Sequence, residues 1–142
     1  MTQLVVDSSV VIKWFVVEPY TTEALSIYQD YQSGRFTLIA PDFLNAEIGN
    51  IVWKKLNRQA LSANEAQEVI EDFREITFQL ISTAELLEDA YNLAVKYQRT
   101  VYDMLYVALS LREQCSFVTA DEKLANAITP ALSNVIWLGN WT

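Results

Sequence analysis

The chain has 142 residues, 18 acidic and 10 basic side chains, a formal charge of −8, no histidine and one cysteine. That length suits one domain, 1–142, with a core needing no disulfide or metal staple. The missing histidines exclude a Ser-His-Asp triad, an HExxH zinc site and paired-imidazole ribonuclease chemistry, so any chemistry falls to carboxylates.

In chain order, Leu4-Val5-Val6 is a short β-rich run that ends at Asp7, and Ser8 or Ser9 is placed to cap a helix through Phe15. A second helix is predicted from Thr21 to Ser33, stopped by Gly34. Phe36 to Ala40 reads as a strand, and Pro41-Asp42 opens a helix to about Arg58. Ser62-Ala63-Asn64-Glu65 is a capping-box pattern for the next helix. Phe78 to Ile81 is a third strand, followed by a helix from Thr83 to Tyr97. Met104 to Leu111 is apolar nearly all round, as a buried helix is. Ser116 to Thr119 makes a fourth strand, a short helix follows to Ile128, and Val135 to Leu138 is the last strand. Helices alternating with strands that read as continuous apolar runs predict an α/β domain with a central parallel sheet.

Nothing in the sequence reads as an address or a membrane span. Met1-Thr2-Gln3 gives no basic n-region, and every apolar stretch is broken well short of the roughly 18 residues a spanning helix needs. With Cys115 alone and no disulfide to make, the expectation is a cytoplasmic protein in a reducing compartment.

Most of the acids need no special explanation. Glu65, Glu68, Glu71, Asp72 and Glu75 belong to the solvated face of one helix, and Glu85, Glu88 and Asp89 suit the first turns of another. Four others stand where carboxylates are costly. Asp7 and Asp121 follow apolar strands, and parallel sheets bind ligands at the carboxyl ends of their strands. Either one is equally readable as a helix N-cap. Glu47 falls about 60° from Leu44 on a helical wheel, bordering the stripe of Leu44, Ile48, Ile51 and Val52. Asp103 opens the apolar helix, where a capping role competes with a functional one.

Such carboxylates repel and raise one another's pKa unless a cation resolves the conflict, and no cluster of Lys or Arg lies beside them in sequence. Oxygen donors at that density suit Mg²⁺ or Mn²⁺, and such an ion activates water and stabilises charge in phosphoryl chemistry. The acidic surplus argues at first sight against a nucleic-acid partner. Assigned to a metal site, four of the acids cease to count that way, and Lys13, Lys54, Lys55, Arg58, Arg99 and Arg112 remain as candidates for a modest nucleic-acid groove.

The run from Val6 to Phe15 resembles the opening of a PIN domain. So do Pro41-Asp42-Phe43 with Glu47-Ile48-Gly49-Asn50, then Val101-Tyr102-Asp103 with Tyr106-Val107-Ala108-Leu109, and Val118-Thr119-Ala120-Asp121. The four stretches keep the order and spacing of VapC-type toxins across the chain. The resemblance implies a three-layer α/β/α fold and a metal-dependent ribonuclease. By motif, Asp7, Glu47, Asp103 and Asp121 match the metal-binding acids, Ser9 and Thr119 the polar positions that support them, and Asn50 a further supporting position. It also implies hydrolysis to 5′-phosphate and 3′-hydroxyl ends, an RNA substrate, a VapB-type antitoxin that blocks the acidic site, and a homodimer. Four Trp and seven Tyr are many for one small core; Trp14, Trp53 and Tyr106 are read as core or interface residues.

Two other classes compete. A haloacid-dehalogenase-type phosphatase needs Asp-x-Asp after the first strand, where this chain has Asp7-Ser8-Ser9, and a receiver domain needs an acid ending the third strand, where Phe78 to Ser82 has none. A non-catalytic module that uses the acids to hold a structural cation or a basic peptide is the other alternative.

Overall fold

The computed structural model describes residues 2–142. Its centre is a five-stranded, all-parallel sheet of β1 (Thr2–Val6), β2 (Phe36–Pro41), β3 (Phe78–Ile81), β4 (Ser116–Thr119) and β5 (Val135–Trp137), in the order β3-β2-β1-β4-β5. Leu4 pairs with Leu38 on one side and Ser116 on the other, and Val5 with Ile39 and Phe117. Val5, Val6, Ile39, Phe117 and Val118 are fully buried, as strands covered on both faces by helices must be. The three-layer α/β/α expectation holds.

Chain order and strand order together position a site. From β1 the chain moves to β2 and β3 on one side, then returns to β4 and β5 on the other. The reversal falls between β1 and β4, and it opens a crevice at their carboxyl ends.

The helices are α1 (Ser8–Val11), α2 (Thr21–Gln32), α3 (Phe43–Asn57), α4 (Ala63–Arg74), α5 (Thr83–Tyr97), α6 (Val101–Arg112) and α7 (Glu122–Ile128). Gly34 follows α2 at φ +83, a left-handed conformation that costs glycine nothing. At α4 the capping box forms in full, Ser62 Oγ accepting from Glu65 N and Glu65 Oε1 from Ser62 N.

Four local expectations need correction. Asp7, not Ser8 or Ser9, caps α1, accepting from Ser9 N at 3.1 Å. The apolar helix starts three residues earlier than its hydrophobic run, because Thr100 caps it by accepting from Asp103 N at 3.1 Å. Asp103 is therefore inside α6 and is not its cap. Within α6, Met104 to Ser110 are buried but Leu111 is 39% exposed. Finally, Trp53 is 59% exposed, so it is no core residue, whereas Trp14 packs on the core and donates to Ala24 O at 2.7 Å.

The acids of α4 and the first half of α5 lie in solvent, as read. No helix among the described residues is long and apolar enough to cross a membrane.

Candidate acidic site at the carboxyl edge of the sheet

Asp7 sits where β1 ends, beside the end of β4, and is almost wholly buried. Its Oδ1 accepts from Ser9 N at 3.1 Å and Ser9 Oγ at 2.5 Å, and its Oδ2 accepts from Thr119 Oγ1 at 2.6 Å. Ser9 Oγ in turn accepts from Ala120 N at 2.9 Å, and Thr119 Oγ1 from Asp121 N at 3.1 Å. These bonds tie the two strand ends together and fix both oxygens of the carboxylate. Burial pushes the Asp7 carboxyl up to about 6; the Ser9 and Thr119 bonds oppose the rise and the charge of Asp103 adds to it.

Glu47 stands on α3, at the edge of the buried stripe of Leu44, Ile48 and Val52. It accepts a short hydrogen bond from the Tyr106 hydroxyl of α6. Burial raises its carboxyl to about 7, against the Tyr106 bond and with help from the charges of Asp7 and Asp103. Burial and the Glu47 carboxylate hold the Tyr106 phenol far above its ordinary range, so it stays protonated as a donor.

Asp103, in the first turn of α6, is raised by burial, lowered by Arg99 and raised again by Asp121. Arg99 Nη2 lies 3.9 Å from Asp103 Oδ2. Among the described residues one basic side chain thus neighbours Asp103: Arg99, in the loop just before the Thr100 cap of α6. Asp121 is exposed at the start of α7, where its Oδ1 accepts from Leu124 N at 3.0 Å. Asp7 and Asp121 therefore both cap the helices that follow them.

The four acids share one neighbourhood, since Asp7 is perturbed by Asp103, Glu47 by Asp7 and Asp103, and Asp103 by Asp121. Among the described residues no three acidic or cysteine side chains close into a ready ligand cage. The donor set still fits a hard divalent ion, which takes a few carboxylates and keeps several waters. Among the described residues the set offers only oxygen donors, and Arg99 partly neutralises Asp103.

Ser9 and Thr119 are thus brought to Asp7 as anticipated, but Asn50 is exposed and hydrogen-bonds to none of the site's described residues. Two residues escaped sequence reasoning. Arg99 was considered only for RNA contact, and Tyr106 only as core or interface. A signal existed for the tyrosine, because a buried phenol needs a hydrogen-bond partner and α6 is otherwise almost entirely aliphatic where it is buried.

The remaining candidates for an RNA groove are mostly committed elsewhere. Lys13 is buried and lies 3.1 Å from Glu18, whose other oxygen is 2.8 Å from Lys55. Arg112 lies 3.6 Å from Glu85 and 3.8 Å from Glu113. Lys54 and Arg58, both exposed on the last turns of α3, enter no ion pair with the described residues.

Comparison with known proteins gives one consistent answer. The family model described as PIN domain matches residues 4–128, a span holding all four acids. Ribonuclease VapC3 of Pyrobaculum aerophilum is 34% identical over 132 residues, covering 92% of this chain and 97% of that protein. Among solved structures, PAE2754 of Pyrobaculum aerophilum superposes with a TM-score of 0.66 at 17% identity, over 97% of this chain and 85% of that one. VapBC2 of Rickettsia felis, bound to a DNA fragment from their promoter, gives 0.65 at 12% identity over 96% of this chain and 97% of that one. A toxin–antitoxin complex from Klebsiella pneumoniae gives 0.56 at 13% identity, over 94% and 95%. At such identities the superpositions speak for the fold.

Proposed function

The chain belongs to the PIN domain family, and on that premise we propose that it is a metal-dependent endoribonuclease, the toxin of a type II toxin–antitoxin pair, working in the cytoplasm as one domain. The observation that carries this reading is the set of carboxylates at the strand reversal, with Asp7 and Glu47 pushed up to about 6 and about 7. A site so arranged is suited to a divalent cation and the anionic phosphodiester it would attract.

A bound Mg²⁺ or Mn²⁺ would lower the pKa of water and stabilise charge developing on the phosphate and the leaving oxygen. Asp7, Glu47, Asp103 and Asp121 are the residues that would hold it. Ser9 and Thr119 orient the Asp7 carboxylate by occupying both of its oxygens. The Tyr106 hydroxyl does the same for Glu47. A carboxylate left free of the ion would be placed to accept a proton from water. Arg99 restrains Asp103 from the loop that precedes the α6 cap.

The inhibitory partner is a VapB-type antitoxin, which blocks the crevice with a basic side chain. Support comes from the two toxin–antitoxin complexes whose chains share this fold and from the shortage of cations around the acids. A second copy of this chain is the other partner, taken through an apolar stripe on α5. The phosphatase and phosphoacceptor alternatives stay disfavoured, since the residues after β1 are Asp7-Ser8-Ser9 and β3 ends at Ile81-Ser82.

The test is cleavage of labelled RNA with Mn²⁺ and with EDTA, using wild type, Asp7→Asn and Asp103→Asn. The wild type should cleave only with the metal, and both variants should lose cleavage by orders of magnitude with unchanged circular dichroism. Full activity in either variant, or a wild type inert in Mn²⁺, defeats the reading and leaves the binding-module alternative.

A further inference from the structure

Helices α3 and α6 face each other through two rungs of side chains. In the inner rung Tyr106 donates to Glu47. Phe43 lies four residues before Glu47, and Tyr102 four before Tyr106, so the i, i+4 spacing sets both on the same facing sides, one turn further out. That outer rung is a stacked aromatic pair, with ring centroids 5.0 Å apart and planes inclined by 14°. It stands about 6 Å along the helix axes from the Glu47–Tyr106 rung, and Tyr102 immediately precedes Asp103.

The two rungs differ in burial. Tyr106 is 2% exposed, whereas Tyr102 is 60% exposed with half-buried Phe43 against it. Tyr102 has no second aromatic neighbour and no hydrogen bond from its hydroxyl among the described residues. An ordered ring is thus held in solvent beside the carboxylates, with its orientation fixed by the ring behind it.

The charge distribution says what such a ring is for. Affinity for RNA ordinarily comes from Lys and Arg on phosphates, but this chain has a net charge of −8 and Lys13, Lys55, Arg99 and Arg112 are held by acids. Stacking of an unpaired base on an aromatic face is indifferent to that charge, and it is the usual way proteins grip single-stranded RNA.

We infer that Tyr102, backed by Phe43, is the stacking platform for an unpaired nucleobase next to the phosphate held at the acids. The inference rests on the RNA reading above and adds a substrate requirement to it, namely a single-stranded base at the cleavage position. Tyr102 acts by binding and takes no part in the bond-breaking step.

Stopped-flow mixing of Mn²⁺-loaded protein with single-stranded RNA containing 2-aminopurine reads stacking as fluorescence quenching, before cleavage is measured on the same sample. Wild type should quench the probe. Tyr102→Ala should lose the quenching, weaken binding by about 10-fold and raise KM for RNA to match, while Tyr102→Trp should restore all three. Equal quenching by Tyr102→Ala, no quenching by wild type, or failure of Tyr102→Trp to rescue each overturns the platform. The last two would fit an aromatic pair that serves a protein partner. Quenching that depends on Tyr102 without any cleavage upholds the platform and overturns the nuclease reading, so the two failures are distinguishable.

Discussion

Asp7 meets two demands at once, capping α1 and standing almost dry at the mouth of the crevice. Its carboxyl is pushed from 3.8 up to about 6, and that of Glu47 from 4.5 up to about 7, burial leading in both. Each folded value exceeds the unfolded one, so the folded protein binds more protons in between. The stability this confers is complete below about pH 4 and is lost as pH rises through about 6 and about 7. Metal-free protein should therefore resist urea better at pH 5 than at pH 8. Asp7→Asn removes the charge and should recover up to about 3 kcal/mol at pH 8, with no gain at pH 4. Urea titrations in EDTA at the two pH values check this, and added Mn²⁺ at pH 8 should stabilise wild type more than the variant. Glu18 has the opposite sign. Burial alone would raise it, but Lys55 and Lys13 outweigh burial and hold it below the usual range, so its contribution is lost only as pH falls. A less stable Asp7→Asn at pH 8 would mean that its hydrogen bonds outweigh the buried charge.

Helix α6 shows what local sequence gives and what it withholds. Its apolar run predicts burial correctly from Met104 to Ser110, and the alternation of apolar runs with helical periods places all five strands in their observed positions. Strand ends made Asp7 and Asp121 legible, and helical phase did so for Glu47. The cap at Thr100 was missed because the hydrophobic run starts at Met104, whereas the helix starts where a side-chain oxygen accepts from a backbone amide. The Glu47–Tyr106 bond was missed for a deeper reason: its partners are 59 residues apart, and no periodicity encodes which helix faces which. That bond carries its own prediction. Tyr106→Phe keeps the buried ring but leaves Glu47 without its donor, a loss of about 1 kcal/mol or more when the acceptor is ionised. The destabilisation should be larger at pH 8 than at pH 5, because protonated Glu47 needs the donor less. Thermal melts of wild type and variant at both pH values measure the difference, and equal losses would show that the bond does not restrain the charged form.

At the scale of the whole molecule, three of the exposed apolar side chains line up on one helix. Leu87, Tyr91 and Val95 are 57%, 58% and 56% exposed and follow one another at intervals of four along α5, forming a single ridge. Ridges of that kind on otherwise polar helices mark interaction surfaces. The charge beside it is polarised, with Glu85 and Glu88 in the first half of the helix and Lys96 in its last turn. A twofold axis through Tyr91 would set two such helices antiparallel, each acidic half against the basic end of the other, while the apolar side chains interlock. This is the arrangement a homodimer through α5 requires, and it offsets the repulsion between two copies that each carry a charge of −8. Light scattering after size exclusion should find wild type as a dimer at micromolar concentration and Tyr91→Lys as a monomer. Because dimerisation stabilises only the folded state, the Tm of wild type should rise with protein concentration, and that of Tyr91→Lys should not. Tyr91 is far enough into solvent that the variant's own fold should survive, as an unchanged far-ultraviolet circular dichroism spectrum would confirm. A wild type that stays monomeric, or a Tyr91→Lys variant that still pairs, would move the ridge from self-association to the surface on which an antitoxin lies.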